Sequence, residues 1–126
     1  MKIAKLEENI ILFDNGTTLT GEHEQGCCEN VYADFEVLGT YNLSPRTGEK
    51  INIYEIDFDD ELYGAIEMVE GEGFCVKSLN GEKFFVPCYN NQNGHYSNQL
   101  DLTLKTIDGI EVLNIDVSDC TKNEYV

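Results

Sequence analysis

FCVKSLNGEKFFVPCY, residues 74 to 89, consists of two alternating apolar runs on either side of Asn80-Gly81. Asn-Gly adopts positive φ cheaply, which a two-residue hairpin turn demands, so the stretch reads as two antiparallel strands. In the second run Phe84, Val86 and Cys88 share one face, the period-2 signature of a half-buried strand. Pro87 has no N–H to give to a ladder, which predicts that this strand lies at a sheet edge. The same punctuation recurs twice. Asn15-Gly16 separates NIILFD from TTLTGEHE, and Asp108-Gly109 separates LDLTLKTI from IEVLNIDV. Leu100, Leu102 and Leu104 alternate, as do Val31, Ala33, Phe35 and Val37 in VYADFEVL. INIYEIDF, residues 51 to 58, predicts a further strand. ELYGAIEMVE, residues 61 to 70, places Leu62, Ala65, Ile66 and Val69 at helical spacing and predicts a short amphipathic helix. NLSPRTGEK (42–50) and NNQNGHYSNQ (90–99) read as exposed loops. The expected fold is mainly β, an antiparallel, strongly curled sheet or small sandwich of about eight short strands with one or two short helices.

A chain of 126 residues suits one domain, 1–126, and can bury a core without metal or disulfide staples, with residues 118–126 expected as a loose tail. The five cysteines (Cys27, Cys28, Cys75, Cys88, Cys120) are odd in number and lack C-x-x-C spacing. With no signal-peptide pattern in MKIAKLEENI, they point to free thiols in a reducing cytoplasm. No apolar run is long enough to span a bilayer.

Charge is the outlying property. There are 24 acids against 8 bases, a net charge of −16, on a chain with 41% hydrophobic residues. That apolar content is too high for an acidic disordered chain, so the charge belongs on the surface of a folded object. Two stretches carry no base at all, one from Glu7 to Glu36 and one from Glu55 to Glu72. Such blocks repel nucleic acid and anionic membrane and favour a basic protein surface. If INIYEIDF is a strand, Glu55 and Asp57 lie on one face about 6.6–6.8 Å apart, as do Glu22 and Glu24. Rows of this kind imitate a phosphate backbone. The expected contact residues are Asp57, Asp59, Asp60, Glu61, Glu67, Glu70 and Glu72, with Glu22, Glu24, Asp34 and Glu36 as a second patch.

HEQGCCENVY (23–32) and CYNNQNGHYSNQL (88–100) together resemble the two signature blocks of a family of small bacterial and phage proteins without an assigned chemistry. The first block is His23, Gln25, Cys27, Cys28, Glu29 and Val31; the second is Asn93, Gly94, Tyr96 and Ser97, with His95 between them. The resemblance implies a shared fold, an origin in phage or other mobile elements, and a bacterial cytoplasm.

Other chemistries compete for these residues. His23, Cys27, Cys88 and His95 are of zinc-ligand type, but structural zinc usually comes with paired knuckles, and the bland alternative is that the thiols pack as small apolar groups. A Cys/His nucleophile needs cations or a helix N-terminus to lower its pKa, whereas Glu22, Glu24 and Glu29 surround this one in sequence. DFDDELYG has oxygen ligands for calcium or magnesium but departs from the EF-hand template at Leu62. No enzyme activity, cofactor or resident metal is expected. The sequence therefore favours a non-enzymatic acidic binding protein that inhibits a basic nucleic-acid-binding host protein, such as a CRISPR nuclease, by mimicking nucleic acid. A small-ligand module built from the two blocks, with His95, Tyr96 and Ser97 presented on a turn, and a metal-stabilised structural protein are the alternatives.

Overall fold

The computed structural model describes residues 1–23, 30–92 and 99–125, and is mainly β. Among the described residues, ten strands form two open sheets. The first has the order β1 (Ile3–Glu7), β2 (Ile10–Phe13), β3 (Thr18–Glu22), β8 (Asp101–Lys105), β9 (Glu111–Asp116), antiparallel throughout. In the second, β7 (Lys83–Gln92) pairs with β6 (Gly73–Lys77), which pairs with β5 (Ile66–Val69). β4 (Asn30–Ala33) joins β7 antiparallel, and β10 (Lys122–Tyr125) joins it parallel.

All three Asn-Gly and Asp-Gly turns close hairpins, with Gly16, Gly81 and Gly109 at φ 84°, 88° and 80°. The alternating runs then place their apolar faces inward. Leu100, Leu102 and Leu104 from one sheet and Phe84, Val86 and Cys88 from the other are each 0% exposed. Both inner faces belong to one core, bridged by Phe58, whose ring meets Phe13 at 6.2 Å and Phe84 at 6.0 Å. Such edge-to-face pairs add about 0.5–1.5 kcal/mol each beyond area burial.

Several expectations are corrected. INIYEIDF is not a strand. The Asn52 side chain accepts from the Tyr54 N–H at 3.0 Å and closes a 3-10 turn at Ile53–Glu55, so Ile53 and Phe58 reach the core from irregular backbone. Glu55 and Asp57 therefore do not form a same-face strand row. ELYGAIEMVE is not a helix. Leu62 and Gly64 sit at φ 52° and 72°, turning the chain before β5 begins. Fully buried Leu62 holds this left-handed conformation at a cost of about 1–2 kcal/mol. VYADFEVL is a strand only to Ala33, after which Phe35–Thr40 winds into a 3-10 turn that buries Phe35 and Leu38. The short helices are thus 3-10 turns at Phe35–Thr40, Ile53–Glu55 and Ser118–Cys120.

Pro87 does not mark an edge, since β7 is the central strand of its sheet. The Phe85 N–H points away from β6, to the Tyr41 hydroxyl at 3.1 Å, so the proline nitrogen two residues on faces the same side. β4 begins its register with β7 at Cys88, and a missing donor at 87 costs no ladder bond there. Opposite Pro87 stands Gly73, where a Cβ would lie 2.1 Å from the Val86 carbonyl oxygen, so only glycine allows β6 this close. The expected loose tail is instead docked over its described residues, with Cys120 and Thr121 buried and β10 paired to Tyr89–Gln92.

Candidate functional site

The two sequence blocks lie largely outside the described residues: Glu24, Gln25, Cys27, Cys28 and Glu29 of the first, and Asn93, Gly94, His95, Tyr96 and Ser97 of the second. Their borders are described, and they meet. On one side Asn30 faces Asn91 across β4 and β7. On the other, the His23 Nδ1–H donates to the Gln99 carbonyl at 2.6 Å. Residues 76 apart in sequence are thus joined.

The described thiols are poor nucleophiles. Burial pushes Cys88 up to about 12, with a smaller contribution from Cys120. Cys75 and Cys120 are also raised, chiefly by burial. All three are protonated near neutrality, when reactivity requires the thiolate. Among the described residues no three His, Cys, Asp or Glu side chains gather as a metal site.

The acids divide into two kinds. Much of the second base-free block is paired: Asp57 with Lys2 at 2.8 Å, Asp60 with the Met1 amino group at 3.0 Å, and Glu67 with Lys83 at 2.8 Å. The Lys2 ammonium, through its hydrogen bond, holds the Asp57 carboxyl below its ordinary range. Asp59 caps the turn by accepting from the Glu61 N–H at 2.9 Å, and Glu61 is exposed beside it. Asp34 is half-buried and Glu36 exposed around the first 3-10 turn.

Glu22 has a different setting. In the register of the first sheet it faces Asp101 on β8, and Asp101 faces Asp116 on β9. Three carboxylates therefore line one face of three adjacent strands at about 4.7–4.9 Å per step. Val117 N–H donates to the Leu100 carbonyl at 2.8 Å, which makes Asp101 and Asp116 a non-hydrogen-bonded pair, the type whose side chains approach closest. Like charges in facing positions are destabilising. Limited compensation is present: Lys105 Nζ lies 3.7 Å from Glu22 Oε1, and Gln99 Nε2 donates to Asp101 at 3.1 Å. The Ser118 hydroxyl and N–H both donate to Asp116, holding it below its ordinary range and therefore charged at neutral pH.

The row continues past the sheet. Asp116, Asp119 and Glu70 all act on the Cys120 thiol as nearby negative charges. The Gly71 N–H donates to the Asp119 carbonyl at 2.9 Å, fixing the exposed Glu70 and Glu72 beside the 3-10 turn Ser118–Cys120. Glu22, Asp101 and Asp116 thus form a cross-strand row, with Asp119 and Glu70 near Cys120 as Asp116 is and Glu72 on the adjoining turn, an acidic rim. Sequence reading found Glu22, Glu70 and Glu72 but missed the three aspartates. The turn alone does not announce the pair, because the register it sets, Lys105 opposite Glu111, is shifted by one at a bulge before Leu104 meets Leu113 and Asp101 meets Asp116. Comparison with protein-family models, with curated proteins and with solved structures gives no match.

Proposed function

We propose that the protein is a non-enzymatic binding module whose acidic rim occupies a basic, nucleic-acid-binding surface of a partner protein in place of phosphates. The observation that carries this reading is the cross-strand row Glu22, Asp101, Asp116. A fold that needed acids only for solubility would gain by spreading them, yet here three stand in directly facing positions at a cost in stability. The rigid sheet fixes their spacing, so a complementary array of Lys and Arg meets them without ordering loose side chains. Association is fast, electrostatically steered and sensitive to salt. The mobile-element origin implied by the two sequence blocks fits an inhibitor of host nucleic-acid machinery and belongs to the same proposal.

The test is immobilisation of the chain, capture from a bacterial lysate at low salt, and elution with duplex DNA or with RNA. Basic nucleic-acid-binding protein should be retained, displaced by nucleic acid, and lost when Glu22→Lys, Asp101→Lys and Asp116→Lys are combined in a variant whose circular dichroism is unchanged. Retention that survives the triple reversal, or that nucleic acid does not compete, refutes the proposal.

A further inference from the structure

We infer that the open edge of β9 is the docking line for an extended, basic segment of that partner, which adds to the first sheet as a sixth strand. The inference rests on the rim reading and specifies its geometry. β9 ends the sheet order, and β8 is its strand neighbour among the described residues. Since the Val117 N–H donates to the Leu100 carbonyl, the alternation of an antiparallel pair turns the N–H and C=O of Asn114 and Asp116 away from β8, toward the open side. Unpaired backbone of this kind is a template for strand addition.

Two other edges, β1 and β5, are guarded differently. β1 is bulged between Ile3 and Lys5 and carries the Lys5–Glu7 pair, while β5 has four residues and carries the Glu67–Lys83 pair. β9 is six residues long and contains no base. Its irregularity is a bulge at the Val112 end, which leaves Leu113 to Asp116 in regular register.

Charge identifies the occupant. A second copy docking antiparallel in the register centred on β9 would set Glu111 against Asp116 twice over, between molecules of net charge −16 each. A basic strand instead places a Lys or Arg opposite Asp116, as the next position of the row begun by Glu22 and Asp101, about 4.7–4.9 Å further on. At the other end of β9, Val112, Ile110 and Ile107 are 40%, 61% and 75% exposed, an apolar landing for the same segment. Strand periodicity then sets the pattern: a basic residue and an apolar residue on one face, four positions apart.

The probe is a capped octapeptide with a lysine and a valine four positions apart on one face and threonine elsewhere, followed by calorimetry at low and high salt and by amide exchange. It should bind in a salt-sensitive way, protect the Asn114 and Asp116 amides, and lose at least tenfold in affinity when its alternate amides are N-methylated or when the chain carries Asn114→Pro. Proline at 114 removes a donor that faces the open side, so the β8 ladder is spared; should that variant fail to fold, the N-methylated peptide on the wild-type chain decides. Absence of binding, affinity within twofold after N-methylation, unprotected amides at 114 and 116, or a β9-mediated dimer in sedimentation would each overturn the inference. Salt-sensitive binding that ignores N-methylation overturns strand addition while leaving the rim reading intact.

Discussion

Replacing Asp101 by asparagine should make the protein more stable, and more so at low salt. Asp101 stands between Glu22 and Asp116 in the sheet register. With carboxylate centres at roughly 6 Å, two unit charges repel by about 0.7 kcal/mol in water, so two neighbours cost about 1.4 kcal/mol when salt is low. A Debye length of about 8 Å at 0.15 M leaves roughly half of that. Lys105, 3.7 Å from Glu22, offsets part of one pair, which brings the net gain of Asp101→Asn to about 0.5 kcal/mol at 0.15 M and about 1 kcal/mol at 0.01 M. Asparagine keeps an oxygen for the Gln99 amide. For a domain of this size the gain corresponds to a rise in Tm of about 2 °C at the higher salt and about 4 °C at the lower. Urea unfolding, which adds no ions, at both salt concentrations measures it directly. A midpoint that falls at low salt, or a difference that does not change with salt, would show that the row is not a site of repulsion and would remove the argument for a bound partner.

Two further outcomes follow from buried groups. Glu82, buried in the β6–β7 turn, accepts from the Ser78 hydroxyl at 2.8 Å and the Ser44 hydroxyl at 3.3 Å, tying the 42–50 loop to the hairpin; Glu82→Ala should cost about 1–3 kcal/mol and speed amide exchange at Arg46 and Thr47, whose N–H groups rest on Ser44 Oγ. Cys88, pushed up to about 12 by burial, should resist a thiol reagent at pH 8 in the folded state. Because its folded pKa lies above the unfolded value, the unfolded chain ionises first as pH rises, so stability is lost above roughly pH 9 at up to about 1.4 kcal/mol per pH unit, an alkaline slope that Cys88→Ala should flatten in urea titrations.

The hairpins were legible because their turn residues and the alternation beside them are local properties, and Asn80-Gly81 specifies its register without help from the rest of the chain. Residues 51–58 misled for a related reason. Their apolar spacing suits a strand, but the Asn52 side chain offers the backbone a competing bond, and the core accepts Ile53 and Phe58 from a turn. In residues 61–70 the helical spacing was real, yet buried Leu62 at positive φ shows tertiary packing overriding local preference. Pro87 misled because only one half of β7 is paired on the side its nitrogen faces. The rim was legible in part. The pairing of 101 with 116 depends on a bulge beyond the Asp108-Gly109 turn, and Glu22 joins them through β3–β8, a contact between distant segments that no local pattern announces.

The long-range pairings also bear on how the chain is made. Leu19 meets Leu104 and Asn90 meets Asn123, so neither sheet reaches its full strand order until late segments have emerged from the ribosome. Early hairpins form on the way, but their inner faces wait for partners, and closing such long loops late adds only logarithmically to the entropy cost. During that interval mutual repulsion among the acids keeps incomplete chains apart, so the same electrostatics that would attract a cognate surface also protect the nascent polypeptide from aggregation.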